Sequence, residues 1–211
     1  MSAAREEMLG RVRQAVRDAE PPPDPCANPA YRRTLDLSGA GLLDLFAERV
    51  ADYRATVTRV GGNGVADALS EVCREHGVAR LGVPPGLPGH LRPEGVELVD
   101  DAQLGAADLD RLDGALTGAA VAIAETGTIV LDGGAHSGRR ALTLVPDLHL
   151  CVIEADQVVG LLPEAIDRLQ PAVRHGQPLT FVSGPSATSD IELSRVEGVH
   201  GPRTLAVLLV G

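Results

Sequence analysis

Apolar residues recur along this chain in helical and strand rhythms, separated by glycine- and proline-rich punctuation. In residues 3–19, Met8, Val12 and Val16 recur every fourth position among Arg and Glu, which predicts an amphipathic helix. The run Glu20-Pro21-Pro22-Pro23-Asp24-Pro25 then ends any helix and makes a stiff linker. A second helix is expected after Ser38, a good N-cap, with Leu42, Phe46, Val50 and Tyr53 on one face. Residues 55–60 read as a strand and Gly61-Gly62-Asn63-Gly64 as a tight loop. Val65, Leu69, Val72, Cys73 and His76 line a third helix closed by Gly77. Residues 78–83 follow as a strand, stopped by Pro84-Pro85-Gly86, and this order suggests a parallel βαβ unit.

Further strands are predicted at 96–99, 120–124, 128–132, 141–145, 149–154, 179–182 and 204–210. Helices are predicted at 106–112 and around Leu162, Ala165, Ile166 and Leu169. The expectation is an α/β sandwich with a mostly parallel central sheet. Residues 1–37 make a helical arm and Pro-rich linker, and residues 38–211 the α/β domain.

Two polar islands interrupt the apolar second half. The first is Ala124-Glu125-Thr126-Gly127-Thr128, between two apolar runs. The second, residues 183–192, is Ser-Gly-Pro-Ser-Ala-Thr-Ser-Asp-Ile-Glu and follows directly on a predicted strand. Hydroxyls, glycines and carboxylates at strand ends suit a ligand site, because burying them unpartnered is costly. Glu125 would need partners there; Thr126 and Thr128 can donate to it, and Gly127 lets a ligand approach closely. The bland alternative is a hairpin with Gly127 at a positive φ.

In the second island, Ser183, Gly184 and Ser186 form a turn whose free N–H groups favour an anion. Ser189-Asp190-Ile191-Glu192 equally fits a capping box that satisfies its own helix. Asp190 and Glu192 together offer an acid/base pair. Behind them, in Gly198-Val199-His200-Gly201-Pro202-Arg203, His200 offers an imidazole for acid/base work and Arg203 can hold an anion bidentately, with a plain structural turn as the equal alternative. Arg139 and Arg140 follow Gly133-Gly134, where a paired Arg would hold a carboxylate or stay solvated. His149, between Leu148 and Leu150, reads as a satisfied edge histidine.

Composition narrows the chemistry. Net charge is −10, and all 19 basic residues are Arg. Without Lys there is no Schiff-base or P-loop lysine. The acidic balance argues against nucleic acid as a partner. The loop at Gly61–Gly64 lacks G-x-G-x-x-G spacing, so it is read as a turn. Cys26, Cys73 and Cys151 form no C-x-x-C pair, and the histidines show no ligand spacing. No metal and no bound cofactor is expected on this chain. The sparse cysteines, the charged N-terminal stretch and the absence of a ~20-residue apolar run predict a cytoplasmic protein with no membrane span.

In fixed order the chain carries Ala124-Glu125-Thr126-Gly127-Thr128, Ser183-Gly184-Pro185-Ser186, Thr188-x-Asp190-Ile191-Glu192 and Gly198-Val199-His200-Gly201-Pro202. In this it resembles the lactate utilization protein C family, also called the LUD domain family, over residues 38–211. The family often has Arg where this chain has Ala187, and Ala where it has Ser189. The resemblance implies a fold like the sugar-phosphate isomerase and coenzyme A transferase group, a three-layer α/β sandwich with ligands at the sheet's carboxyl edge. It implies oxidation of L-lactate to pyruvate with iron–sulfur partner subunits, this chain being the cluster-free one. Catalytic roles would fall to Glu125, Asp190 and His200. A small anionic ligand would meet Thr126, Gly127, Thr128, Ser183, Gly184, Ser186, Thr188, Glu192, Gly201 and Arg203. The alternative is a self-sufficient transferase or ligase for an acyl or phosphorylated ligand, with Glu125 as nucleophile or general base.

Overall fold

A computed structural model describes residues 3–19, 31–188, 196–198 and 200–211. The linker at 20–25, Cys26, the capping box at 189–192 with Asp190 and Glu192, and Val199 lie outside the described residues. The chain folds as two units, Met1–Arg32 and Arg33–Gly211. The first holds helix α1 (Ala3–Asp18), none of whose residues is buried. Its stripe of Met8, Val12 and Val16 is exposed.

In the second unit, α2 (Ala40–Asp52) starts one residue later than expected. Gly39, not Ser38, is the N-cap, with φ of 55° and no side-chain hydrogen bond. Phe46 and Val50 are buried, whereas Tyr53 lies past the end and is exposed. Then follow β1 (Thr56–Val60), α3 (Val65–Glu75), β2 (Arg80–Val83), β3 (Glu97–Asp100), α4 (Ala106–Leu109) and β4 (Gly114–Gly118). His76, expected on the buried face of α3, is its exposed C-cap. The remaining elements are β5 (Val121–Ile123), β6 (Thr128–Leu131), β7 (Leu148–Glu154), β8 (Val158–Val159), α5 (Leu162–Arg174), β9 (Thr180–Val182), β10 (Ala187–Thr188), β11 (Val196–Glu197) and β12 (Thr204–Val210).

Six strands form an all-parallel sheet in the order β1-β12-β7-β4-β2-β3. Strands β7 and β12 run in its middle, and their nearly unbroken apolar sequences suit burial on both faces. On one face, Leu69 and Cys73 of α3 pack against Leu81, Leu150 and Leu208. On the other, Phe46 and Val50 of α2 pack with Cys151, Ile153, Val207 and Leu209. These are the three layers of the sandwich. A second sheet, ordered β8-β5-β6-β9, extends the α2 layer and covers its outer face with Ala165 and Leu169 of α5.

Four readings of the sequence need correction. The βαβ unit of β1, α3 and β2 is parallel, but three strands lie between β1 and β2. Residues 141–145 do not form a strand. They lie in a 3-10 turn, Arg140–Thr143, and its tail, because Leu142 is drawn into a cluster with Leu109, Leu112 and Ala115. The helix at 106–112 stops at Leu109, and the chain then enters β4, a strand the sequence did not suggest. Finally, His149 is not at an edge: it is 2% exposed, inside the central strand β7.

Candidate functional site

The two polar islands meet through the second sheet. Strands β5 and β6 form an antiparallel hairpin, and β9 pairs antiparallel with β6, Ile129 facing Val182. This register puts Thr128, buried at the start of β6, beside Ser183, just past β9. Their hydroxyls are 2.7 Å apart, and Thr126 Oγ1 lies 2.7 Å from Thr128 Oγ1. Three hydroxyls of the two islands thus satisfy one another.

The second island is in turn fastened to the loop before β12. The Ser186 N–H donates to Pro202 O (2.8 Å), and the Gly198 N–H to Ser186 O (3.0 Å). The His200 N–H donates to Ser186 Oγ (3.1 Å). Gly184, at φ of 118°, sits so close to Tyr53 that a Cβ would come within 2.6 Å of it. This clamped backbone walls a cavity of about 360 Å³ whose lining includes Arg140, His149, Ser183, Gly184, Ser186, His200 and Gly201. Among the described residues the Arg140 guanidinium has no partner, and it is exposed on the rim.

The expected site residues therefore divide. Ser183, Gly184, Ser186, His200 and Gly201 converge on one cavity. Thr126 and Thr128 join it through the hydroxyl chain. Thr188 lies on β10, at the base of a two-stranded ribbon with β11. Glu125 is half-buried in the hairpin turn, its N–H donating to Gly160 O (3.1 Å), and does not line the cavity. Gly127 has φ of 59°, and α2 fills the space above it: a Cβ there would lie 2.7 Å from Arg49 C and Val50 N. Arg203 is committed to the protein's own Asp147, Nε to Oδ1 at 2.8 Å and Nη2 to Oδ2 at 2.5 Å. That hydrogen bond holds the Asp147 carboxyl below the usual carboxylate range. Arg139 likewise grips an internal carboxylate, the fully buried Asp101, with Nε 3.2 Å from Oδ2.

Thr143, Thr180 and His149 also line the cavity but were not singled out as ligand contacts from sequence; Arg140, read there as either a carboxylate holder or a solvated side chain, joins them. His149 carried a readable signal, as the one polar break in the apolar run Leu148–Ile153 of β7. Its Nε2 lies 2.8 Å from Thr117 Oγ1, and burial pushes its pKa down to about 4, so it is neutral at physiological pH.

The cavity sits at the amino ends of β7 and β12, where Leu205 pairs with His149. That is opposite to the carboxyl edge implied by the fold resemblance. A second cavity of about 420 Å³ lies near that carboxyl edge, just past β4, where Ala119, Ser137, Gln157 and His175 contribute to its wall. Two of its polar groups are spoken for: Gln157 Nε2 donates to Ala119 O (2.7 Å), and Ser137 Oγ to Asp132 Oδ1 (3.0 Å). Among the described residues no group of three or more His, Cys, Asp or Glu is placed to hold a metal ion. Burial raises the Cys73 and Cys151 thiols to about 11 and 12. No described helix is long and apolar enough to cross a membrane.

Comparison with known proteins agrees with the motif order. The LUD domain matches residues 101–210. The chain is 44% identical over 209 residues to lactate utilization protein C of Deinococcus radiodurans, covering 99% of this chain and 96% of that one. It is 28% identical over 195 residues to lactate utilization protein C of Bacillus velezensis, covering 89% and 75%. A crystal structure of a DUF162 family protein from Deinococcus radiodurans matches with a TM-score of 0.73 and 41% identity, over 83% of this chain and 99% of that one. With the domain matched over half its length and a relative aligned along nearly all of it, the chain belongs to the LUD domain family of lactate utilization protein C.

Proposed function

We propose that this protein is the cluster-free subunit of a cytoplasmic L-lactate oxidation system that forms pyruvate together with iron–sulfur partner proteins. In this reading its cavity holds the small carboxylate. The observation that carries it is the 44% identity, along 99% of the chain, to a protein named for lactate utilization. The geometry supports it in kind. Arg140 offers an uncommitted planar fork that suits a carboxylate bidentately. The Ser183 and Ser186 hydroxyls stand across the same cavity. A three-carbon acid fills only part of about 360 Å³, which leaves room for a group brought by a partner. Partners would supply the redox centre, and the two described cysteines, Cys73 and Cys151, are buried with raised pKa values.

The transferase reading needs the Glu125 carboxylate at the ligand, and Glu125 is outside the cavity wall. Calorimetric titration with L-lactate and with pyruvate tests the carboxylate reading. Both acids should bind, and Arg140→Ala should weaken them about tenfold or more, the loss of one charge-assisted pair. Equal binding by that variant would remove Arg140 from the site. Co-expression with iron–sulfur lactate utilization proteins should yield a complex; a chain that purifies alone would count against the subunit role.

A further inference from the structure

Beneath the cavity lies a buried chain of three side chains on adjacent strands. In the parallel pairing of β4 and β7, Thr117 is opposite Cys151 and Ala115 opposite His149. Residues two apart share a sheet face, so Thr117, His149 and Cys151 all point the same way. Thr117 Oγ1 is 2.8 Å from His149 Nε2 and 3.9 Å from Cys151 Sγ. Thr117 and Cys151 are 0% exposed and His149 is 2%. The other imidazole nitrogen, Nδ1, has no partner among the described residues. It is not sealed either, since the buried side-chain atom without a partner is Asp101 Oδ1. Nδ1 is therefore the nitrogen that His149 offers to the cavity it lines.

A threonine hydroxyl has one proton and here two neighbours, so the chain can run in either of two directions. In one, Nε2–H donates to Thr117 Oγ1, the Thr117 O–H donates to Cys151 Sγ, and Nδ1 is a bare acceptor. In the other, the Cys151 S–H donates to Thr117 Oγ1, the Thr117 O–H donates to Nε2, and Nδ1–H is a donor. We propose that this Cys151–Thr117–His149 chain lets the cavity hold both a 2-hydroxy acid and the matching 2-oxo acid, presenting His149 Nδ1 as acceptor to the hydroxyl of one and as donor to the carbonyl of the other. The proposal rests on the carboxylate reading above and deepens it. The two settings carry the same protons: the ring proton leaves Nε2 and one is taken up at Nδ1 by exchange with water in the cavity, while the Thr117 O–H turns from Cys151 Sγ to Nε2, so no net charge stays in the core. The lowered His149 pKa and the raised Cys151 pKa agree with that neutrality. A site with a fixed donor or acceptor would leave one acid of the pair facing an unmatched buried group. His149 touches the ligand; Thr117 and Cys151 are positioning residues that act through it.

The test is nitrogen NMR of ring-labelled histidine in the full chain, with the His149 signals assigned by their absence in His149→Gln. With saturating L-lactate, Nδ1 should be unprotonated; with saturating pyruvate, it should carry the proton. The same tautomer with both acids bound would overturn the relay and leave the carboxylate reading standing. No binding of either acid at millimolar concentration would remove that reading and the relay with it. Thr117→Ser keeps the hydroxyl between His149 and Cys151, so in that variant the tautomer should still follow the bound acid; a serine variant held in one tautomer with both acids bound would also sink the relay.

Discussion

At Gly127 a side chain would meet the backbone of α2 at 2.7 Å, in a residue whose φ is 59°. Both the crowding and the left-handed conformation oppose any Cβ. Gly127→Ala should lower stability by about 2 kcal/mol or more, read from chemical denaturation, without touching the cavity lining. His149 works through charge. Unfolded, its imidazole titrates at the ordinary 6.5; folded, burial holds it at about 4. Acid therefore protonates the unfolded chain first, so stability is full above pH 6.5 and declines as pH falls from 6.5 through 4. The expected loss at pH 4 is about 3 kcal/mol, and His149→Gln should flatten that slope in thermal melts across this range. A slope unchanged by the substitution would place the acid-sensitive group elsewhere.

Among elements, the loop before β12 is latched by Arg203 and Asp147, two exposed side chains in a bidentate pair. Exposed pairs contribute little, so Asp147→Asn should change the unfolding free energy from chemical denaturation by less than about 1 kcal/mol. The elements also show what was legible. Strand β12 could be read to the residue because Leu205–Val210 is an unbroken apolar run, with Thr204 before it. Strand β4 could not, because Gly-Ala-Leu-Thr-Gly has little strand propensity. Its glycines answer to tertiary crowding: a Cβ on Gly114 would sit 3.0 Å from Leu148 O. The alternation at 141–145 looks like a strand, but no neighbouring strand is there to pair with it, and Leu142 turns into a separate cluster. The islands themselves stood out as hydroxyls at strand ends. His149 did not, and Arg140 stood open between a carboxylate holder and a solvated side chain, because what makes them a site is the wall opposite, contributed by residues 180–186 and 200–205.

On the scale of the whole molecule, the two units differ in how they are held. Helix α1 buries no residue, whereas the second unit has cores on both faces of its six-stranded sheet. A chain of residues 33–211 should melt within a few degrees of the full chain, and a collapse of its melting transition would show that the arm is part of the fold.

The strand order has a temporal consequence. Thr56 of β1 pairs with Ala206 of β12, 150 positions further along, and β1 has no other neighbour in the sheet. A ribosome delivers β1 early and β12 late. Throughout that interval one side of the nascent sheet has no template, and the apolar residues meant for it must wait or be shielded. Contacts this distant in sequence make folding slow and favour off-pathway association. The protein is therefore a natural customer for chaperones that bind nascent chains, and its yield in a cell should track the pace of translation more closely than its equilibrium stability does.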